Sequence, residues 1–151
     1  MIKSDDTTDN EITGRCYCGA TTIRATRQPM TIAYCHCADC RRVTGAPVAA
    51  FAAFDAAAVT FTPDAGQKVT ATPGVERTFC GNCGSPISGR YDYLPGQVYI
   101  PVGVLEQANR LAPRLHAHAS QRLTWLHIED DLQRFDASSR VQLLKAQNRQ
   151  T

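Results

Sequence analysis

Three thiols stand within the eight-residue run Cys35-His36-Cys37-Ala38-Asp39-Cys40-Arg41-Arg42. A cysteine kept only for packing behaves as a small apolar residue among apolar neighbours; here the neighbours are His, Asp and two Arg. A C-x-C-x-x-C spacing on a tight turn can aim several sulfurs at one soft metal ion. Two more groups carry sulfur. Gly14-Arg15-Cys16-Tyr17-Cys18-Gly19 is a C-x-C flanked by glycines, and Phe79-Cys80-Gly81-Asn82-Cys83-Gly84-Ser85-Pro86 is a C-x-x-C-G knuckle. Glycine there lets the backbone turn sharply around an ion, and the amides of such a turn are free to donate to thiolates.

The cysteines number seven, so complete internal disulfide pairing is impossible. Two partitions are open. In one, Cys16, Cys18, Cys80 and Cys83 form a closed four-thiolate zinc site, and Cys35, Cys37 and Cys40 stay together. In the other, Cys37/Cys40 and Cys80/Cys83 form a zinc ribbon and strand the remaining thiols. The first is preferred because each local cluster stays intact. It also yields two site types, a closed structural zinc and a three-ligand zinc with one open position. The closed ion would tie the N-terminal strand to the middle of the chain and add its binding free energy to folding. At the open site, three thiolates outweigh the ion's own charge. Such a site acidifies bound water less than three neutral imidazoles do and better hosts another sulfur, which favours thiol chemistry over hydrolysis.

The residues around the trio are weighed in the same way. His36 lies between two ligand cysteines, so its ring is expected to point away from the metal. Arg41 and Arg42 either offset thiolate charge, bind a substrate carboxylate or are solvated. Asp39 supports the turn. His116 and His118 are expected to share a strand face, as hydrogen-bonded structural histidines outside the ligand set. Trp125 is expected in the core.

The elements that position these groups read as mostly β. Thr21-Thr22-Ile23-Arg24-Ala25-Thr26 is rich in β-branched residues, and Met30-Thr31-Ile32-Ala33-Tyr34 delivers the chain into the trio. Residues 48–54, 59–62, 68–72, 75–79, 87–93 and 97–104 follow as strands, separated by Pro- and Gly-bearing turns. Residues 48–54 are alanine-rich and could be helical, but they lie among strand-like stretches after a proline and are assigned as strand. Residues 105–113 form a connection with a short helical turn, and residues 115–118 and 123–128 read as short extended segments. Residues 1–12 are polar and read as a mobile arm, residues 13–136 as a single domain, and residues 137–151 as a tail in which a short C-terminal helix runs from about 139 to 148.

Length and charge narrow the function. A chain of 151 residues buries roughly 70% of its extended surface, enough for a real core. A net charge of +2 without a basic, aromatic-interleaved stripe argues against a nucleic-acid partner. No apolar run approaches the roughly 20 residues that span a bilayer. The polar, acidic start lacks the apolar segment of a secretory signal, so the expected compartment is cytoplasmic, where reduced thiols serve metal or catalysis.

Together the motifs Gly14 to Gly19, Tyr34 to Arg42 with Gly45-Ala46-Pro47, and Arg77 to Pro86 resemble the glutathione-dependent formaldehyde-activating enzyme (GFA) family. All seven cysteines fall on the family pattern in order. The resemblance runs from about residue 11 to residue 135 and is looser over residues 105–128. It implies a structural zinc on Cys16, Cys18, Cys80 and Cys83, and a second, more labile catalytic zinc on Cys35, Cys37 and Cys40. It implies a compact, mainly antiparallel β fold of the methionine-sulfoxide-reductase-B type. It also implies carbon–sulfur lyase-type chemistry that joins glutathione and formaldehyde as S-(hydroxymethyl)glutathione. A non-catalytic module binding glutathione or a protein partner, and a thiol/zinc redox sensor, are the alternatives that the same site could serve.

Overall fold

The computed structural model describes residues 10–139 and Leu144. Among these, eleven strands and one α-helix make a mainly β protein. A three-stranded antiparallel sheet has the order β1-β2-β5, formed by β1 (Ile12–Arg15), β2 (Thr22–Ala25) and β5 (Val59–Thr62). The larger sheet has eight strands in the order β11-β10-β3-β4-β9-β8-β7-β6. These are β3 (Thr31–Cys35), β4 (Ala49–Asp55), β6 (Gln67–Thr72), β7 (Val75–Phe79), β8 (Pro86–Tyr91), β9 (Gln97–Pro101), β10 (Leu115–Ala117) and β11 (Gln133–Arg134). Pairing is antiparallel except at β3–β10 and β10–β11, which are parallel. No described helix is long and apolar enough to cross a membrane.

The two faces of the large sheet bury different things, and β4 shows why. Its sequence alternates so that Ala52 and Phe54 point to one face while Ala49, Phe51 and Ala53 point to the other, as the two-residue strand period requires. On the first face, Ile32, Phe54, Ile87, Val98 and Ile100 meet Ile12 and Ile23 of the small sheet. On the second, Phe51, Leu94 and Tyr99 pack with Cys40 and Leu144. A strand covered on both sides has no polar face to display. That is why the Ala- and Phe-rich segment lacks the alternation that would mark it as β from sequence.

Several expectations change in the structure. The trio is not confined to a tight turn: Cys35 ends β3, and α1 (Ala38–Thr44) begins immediately after Cys37. Cys37 is its N-cap, accepting from Cys40 N, and the Gly45 amide closes the other end on Arg41 O. Ile12, assigned to the polar arm, is 1% exposed within β1, while residues 1–9 lie outside the described residues. β9 stops at Pro101 and continues as a 3₁₀ turn, Val102–Val104. Residues 123–128 form no strand, and Trp125 is 64% exposed instead of buried. A single tryptophan on a segment without apolar alternation had no strand face to carry it inward. The proposed C-terminal helix falls largely outside the described residues.

Candidate metal centres

Cys16, Cys18, Cys80 and Cys83 come from two hairpin tips on different sheets. Cys16 and Cys18 follow β1, and Cys80 and Cys83 follow β7. Each tip is closed by its own backbone: Cys16 N donates to Thr21 O at 3.0 Å and Gly84 N to Cys80 O at 2.8 Å. Gly84 takes a left-handed φ of +80°, open to glycine at little cost. The tips are also tied to each other, since Tyr17 N donates to Ser85 Oγ at 2.9 Å.

All four sulfurs lie within 4.8 Å of one another. Cys16 and Cys18 are 3.6 Å apart, and Cys18 and Cys80 are 3.8 Å apart. Both values exclude a disulfide and match the roughly 3.8 Å edge of a tetrahedron whose sulfurs stand about 2.3 Å from a central zinc. The surrounding donors suit thiolates. Thr21 N reaches Cys16 Sγ at 3.3 Å, Asn82 Nδ2 reaches Cys18 Sγ at 3.2 Å, and Ser85 Oγ lies 3.3 Å from Cys83 Sγ. The Ser85 hydroxyl and amide draw the Cys83 thiol down to about 5. Cys16 and Cys80 are buried, and Cys16, Cys80 and Cys83 pack against the core between the sheets. The four sulfurs could hold a metal ion, with Cys18 at the exposed side of the group.

Cys35, Cys37 and Cys40 also place their sulfurs within 4.8 Å of one another. Cys35 and Cys37 sulfurs are 3.4 Å apart, and Cys40 N donates to Cys37 Sγ at 3.3 Å. Hydrogen bonds from the Cys35 and Cys40 thiols hold Cys37 far below the usual thiol range. The same contact pushes Cys35 up to about 11, and Cys40 is raised by its two neighbouring sulfurs. Hydrogen bonding within the trio thus favours the thiolate on Cys37 over Cys35 and Cys40. A cation among them would let all three ionise, so this donor set also could hold a soft metal ion.

The setting of the trio differs. Its sulfurs line a cavity of about 700 Å³ on the second face of the large sheet. Phe51, Tyr99 and Leu94 form apolar wall, and Arg77, Tyr91 and Tyr93 stand across from α1. Burial pushes the Tyr91, Tyr93 and Tyr99 hydroxyls up, so all three stay neutral. Arg77, Tyr91, Tyr93 and Tyr99 were not singled out in the sequence. The available signal was the two-residue period: Val75, Arg77 and Phe79 share one side of β7 and all line the cavity.

A buried histidine chain stands behind the trio. His36 is fully buried, and its Nε2 lies 2.8 Å from His116 Nδ1. His116 Nε2 lies 2.9 Å from Asp130 Oδ2, and Arg134 holds the other Asp130 oxygen at 3.0 Å. A carboxylate only accepts, so His116 Nε2 donates to Asp130; with a single proton on the His116 ring, its Nδ1 accepts from His36 Nε2. Burial lowers the His36 pKa, which favours its neutral form. The ring faces β10 and takes no place among the sulfurs. His118 does not continue the β10 face. Its φ of +53° turns the chain away, and it lines the cavity instead. Arg41 clamps the turn from outside, donating to His36 O and Gln121 O at 3.1 and 2.7 Å, whereas exposed Arg42 reaches the cavity rim.

A model of the family described as glutathione-dependent formaldehyde-activating enzyme matches residues 11–121. The chain belongs to this family. An uncharacterized lyase of Schizosaccharomyces pombe is 31% identical over 81 residues, covering 54% of this chain and 58% of the relative. The chain therefore spans less than two thirds of that curated relative. A crystal structure of a Rhodobacter sphaeroides protein is similar at a TM-score of 0.47 and 23% identity, over 62% of this chain and 87% of that one. In the GFA chain described here, both cysteine groups lie wholly inside the matched span.

Proposed function

We propose that the protein is a zinc-dependent carbon–sulfur lyase-type enzyme acting on a small thiol such as glutathione and on its formaldehyde or other aldehyde adducts, with S-(hydroxymethyl)glutathione as the type substrate. The observation that carries this reading is the cavity in front of the trio. Four sulfurs close on one another between two sheets, whereas three sulfurs line a cavity sized for a small molecule. In this reading Cys16, Cys18, Cys80 and Cys83 hold a structural zinc, and Cys35, Cys37 and Cys40 hold a catalytic one. Zinc held by the trio supplies a soft, Lewis-acidic position open to one more sulfur.

The chain's own residues do the rest. Cys35, Cys37 and Cys40 fix where the ligand sulfur stands, and the Cys40 amide steadies the Cys37 sulfur. The Phe51, Leu94 and Tyr99 wall keeps the sulfur and the aldehyde carbon out of bulk water. In the addition the ligand sulfur forms a bond to the aldehyde carbon, the carbonyl π pair moves to oxygen, and the proton lost by the thiol ends on that oxygen. The lyase direction reverses each change.

Metal analysis of the full chain should find about two zinc ions, and Cys37→Ser should lower that to about one. Cleavage of S-(hydroxymethyl)glutathione above its spontaneous rate should be lost in the same variant while the fold is kept. Cys37→Ser protein as active as wild type would remove the trio from catalysis. Glutathione binding without any acceleration would instead make the protein a carrier module.

A further inference from the structure

We infer that Asp130, acting through His116 and His36, is a positioning residue for the cysteine trio: this hydrogen-bonded line sets how the Cys35 and Cys37 sulfurs are presented. The inference rests on the reading of the trio as a metal site and adds what holds its sulfurs in place from behind.

His36 stands between Cys35 and Cys37, so any rotation of its backbone moves both sulfurs. Its two neighbours line the cavity, whereas its own ring is fully buried and does not. Three anchors hold the residue. Its amide donates to Ala117 O at 3.1 Å, its carbonyl accepts from Arg41 Nη1 at 3.1 Å, and its ring meets His116 at 2.8 Å. The planes of the two imidazoles differ by 14° and their centres are 5.1 Å apart, so the 2.8 Å contact between their nitrogens joins them edge to edge. Among the described residues His36 Nδ1 has no partner, which leaves the bond to His116 as the ring's one directional anchor.

His116 is fixed in turn. Tyr34, opposite it in the parallel β3–β10 pair, covers one ring face with 4.7 Å between centres, and Asp130 Oδ2 accepts from its Nε2 at 2.9 Å. Leu132 N and Arg134 each hold Asp130 Oδ1 at 3.0 Å. Arg134 lies opposite His116 in the β10–β11 pair, so the carboxylate and the ring it holds are built on the same two strands. Stability alone does not call for such a line. Replacing both partners of a buried hydrogen bond by apolar side chains of similar shape can be nearly neutral. What an apolar pair lacks is direction, and a satisfied buried network specifies one arrangement. Outer partners orient metal ligands in the same way; here the oriented unit is the peptide that carries two sulfurs.

Chelator challenge of zinc-loaded full-length protein tests this without any turnover. Asp130→Ala should speed release of one zinc equivalent by about threefold or more, and the pair variant His36→Leu/His116→Leu by about tenfold or more, the scale on which outer partners alter metal affinity. The other equivalent should leave at the wild-type rate. With cobalt in place of zinc, the same variants should shift the sulfur-to-cobalt absorption of one equivalent only. Val98→Ala, which thins the core on the other face of the large sheet, is the comparison: melting should fall while both metals leave as in wild type. Equal acceleration in Val98→Ala would overturn the inference, reducing the line to general stability. Unchanged release and absorption in the line variants would overturn it too, and Asp130→Ala decides alone if the pair variant fails to fold. Wild-type protein that holds one equivalent only would overturn it together with the metal reading of the trio. A protein that shows these shifts and accelerates no reaction would sink the lyase reading and leave Asp130 in place.

Discussion

The two cysteine groups use the same ligand chemistry in opposite surroundings. The four-cysteine group joins the tip after β1 to the tip after β7, so its sulfurs bridge the two sheets and three of them pack against the main core. The three-cysteine group spans the end of β3 and the first turn of α1, on the opposite face of the large sheet, with a cavity in front of it. In the first, sulfur takes the place of core packing between two sheets. In the second, the sulfurs pack beside the smaller core cluster and also line the cavity. Residue type alone does not separate the two groups; what packs around the sulfurs does.

The largest test of that contrast is to break each group in turn. Cys83→Ser should abolish cooperative folding or lower the melting temperature steeply, because metal binding to such sites amounts to about 10–16 kcal/mol of folding free energy. Cys37→Ser should shift melting by only a few degrees. Similar melting of the two variants would erase the distinction.

A gentler perturbation should reach one group only. Gly66 has a left-handed φ of +92°, and a Cβ there would overlap Phe79 O, the carbonyl just before Cys80. Gly66→Ala should cost about 1–3 kcal/mol in denaturant unfolding. It should also speed chelator removal of one zinc equivalent while the other leaves at the wild-type rate. Equal acceleration of both would mean that the two groups are mechanically coupled.

The smallest effect concerns the histidine chain behind the trio. The hydrogen bond from His116 holds the Asp130 carboxyl below its ordinary value. Its ionised form therefore favours the folded chain: the contribution is complete above the unfolded value of about 3.9 and is lost as pH falls through the lower folded value. The stability gap between wild type and Asp130→Asn should be constant from about pH 7 to about pH 5 and close below about pH 4. A gap that persists at about pH 2 would assign it to packing rather than to charge.

Much of this molecule was legible in the chain. The C-x-C and C-x-x-C spacings announced sulfur clusters because ligands on one tight turn are local, and the partition into four and three followed from keeping local clusters whole. Strands with β-branched runs, such as β2 and β7, were visible for the same local reason. Arg77 and the three tyrosines were not, since they meet the trio only when β7, β8 and β9 are laid beside β4 and β3. The partners of His116 were equally hidden, because His36 stands 80 residues away from it in sequence and Asp130 lies on a loop without a strand pattern.

Sequence alone therefore determined the sulfur groups: which cysteines stand together, that two groups exist, and that the chain is mainly β. Spacing along a backbone of set geometry decides such things before any packing occurs. Only the tertiary structure decided their fates. What surrounds a sulfur depends on which strands distant in sequence are laid beside it, and here two hairpin tips on different sheets gather one group while one face of the larger sheet sets the other beside a cavity.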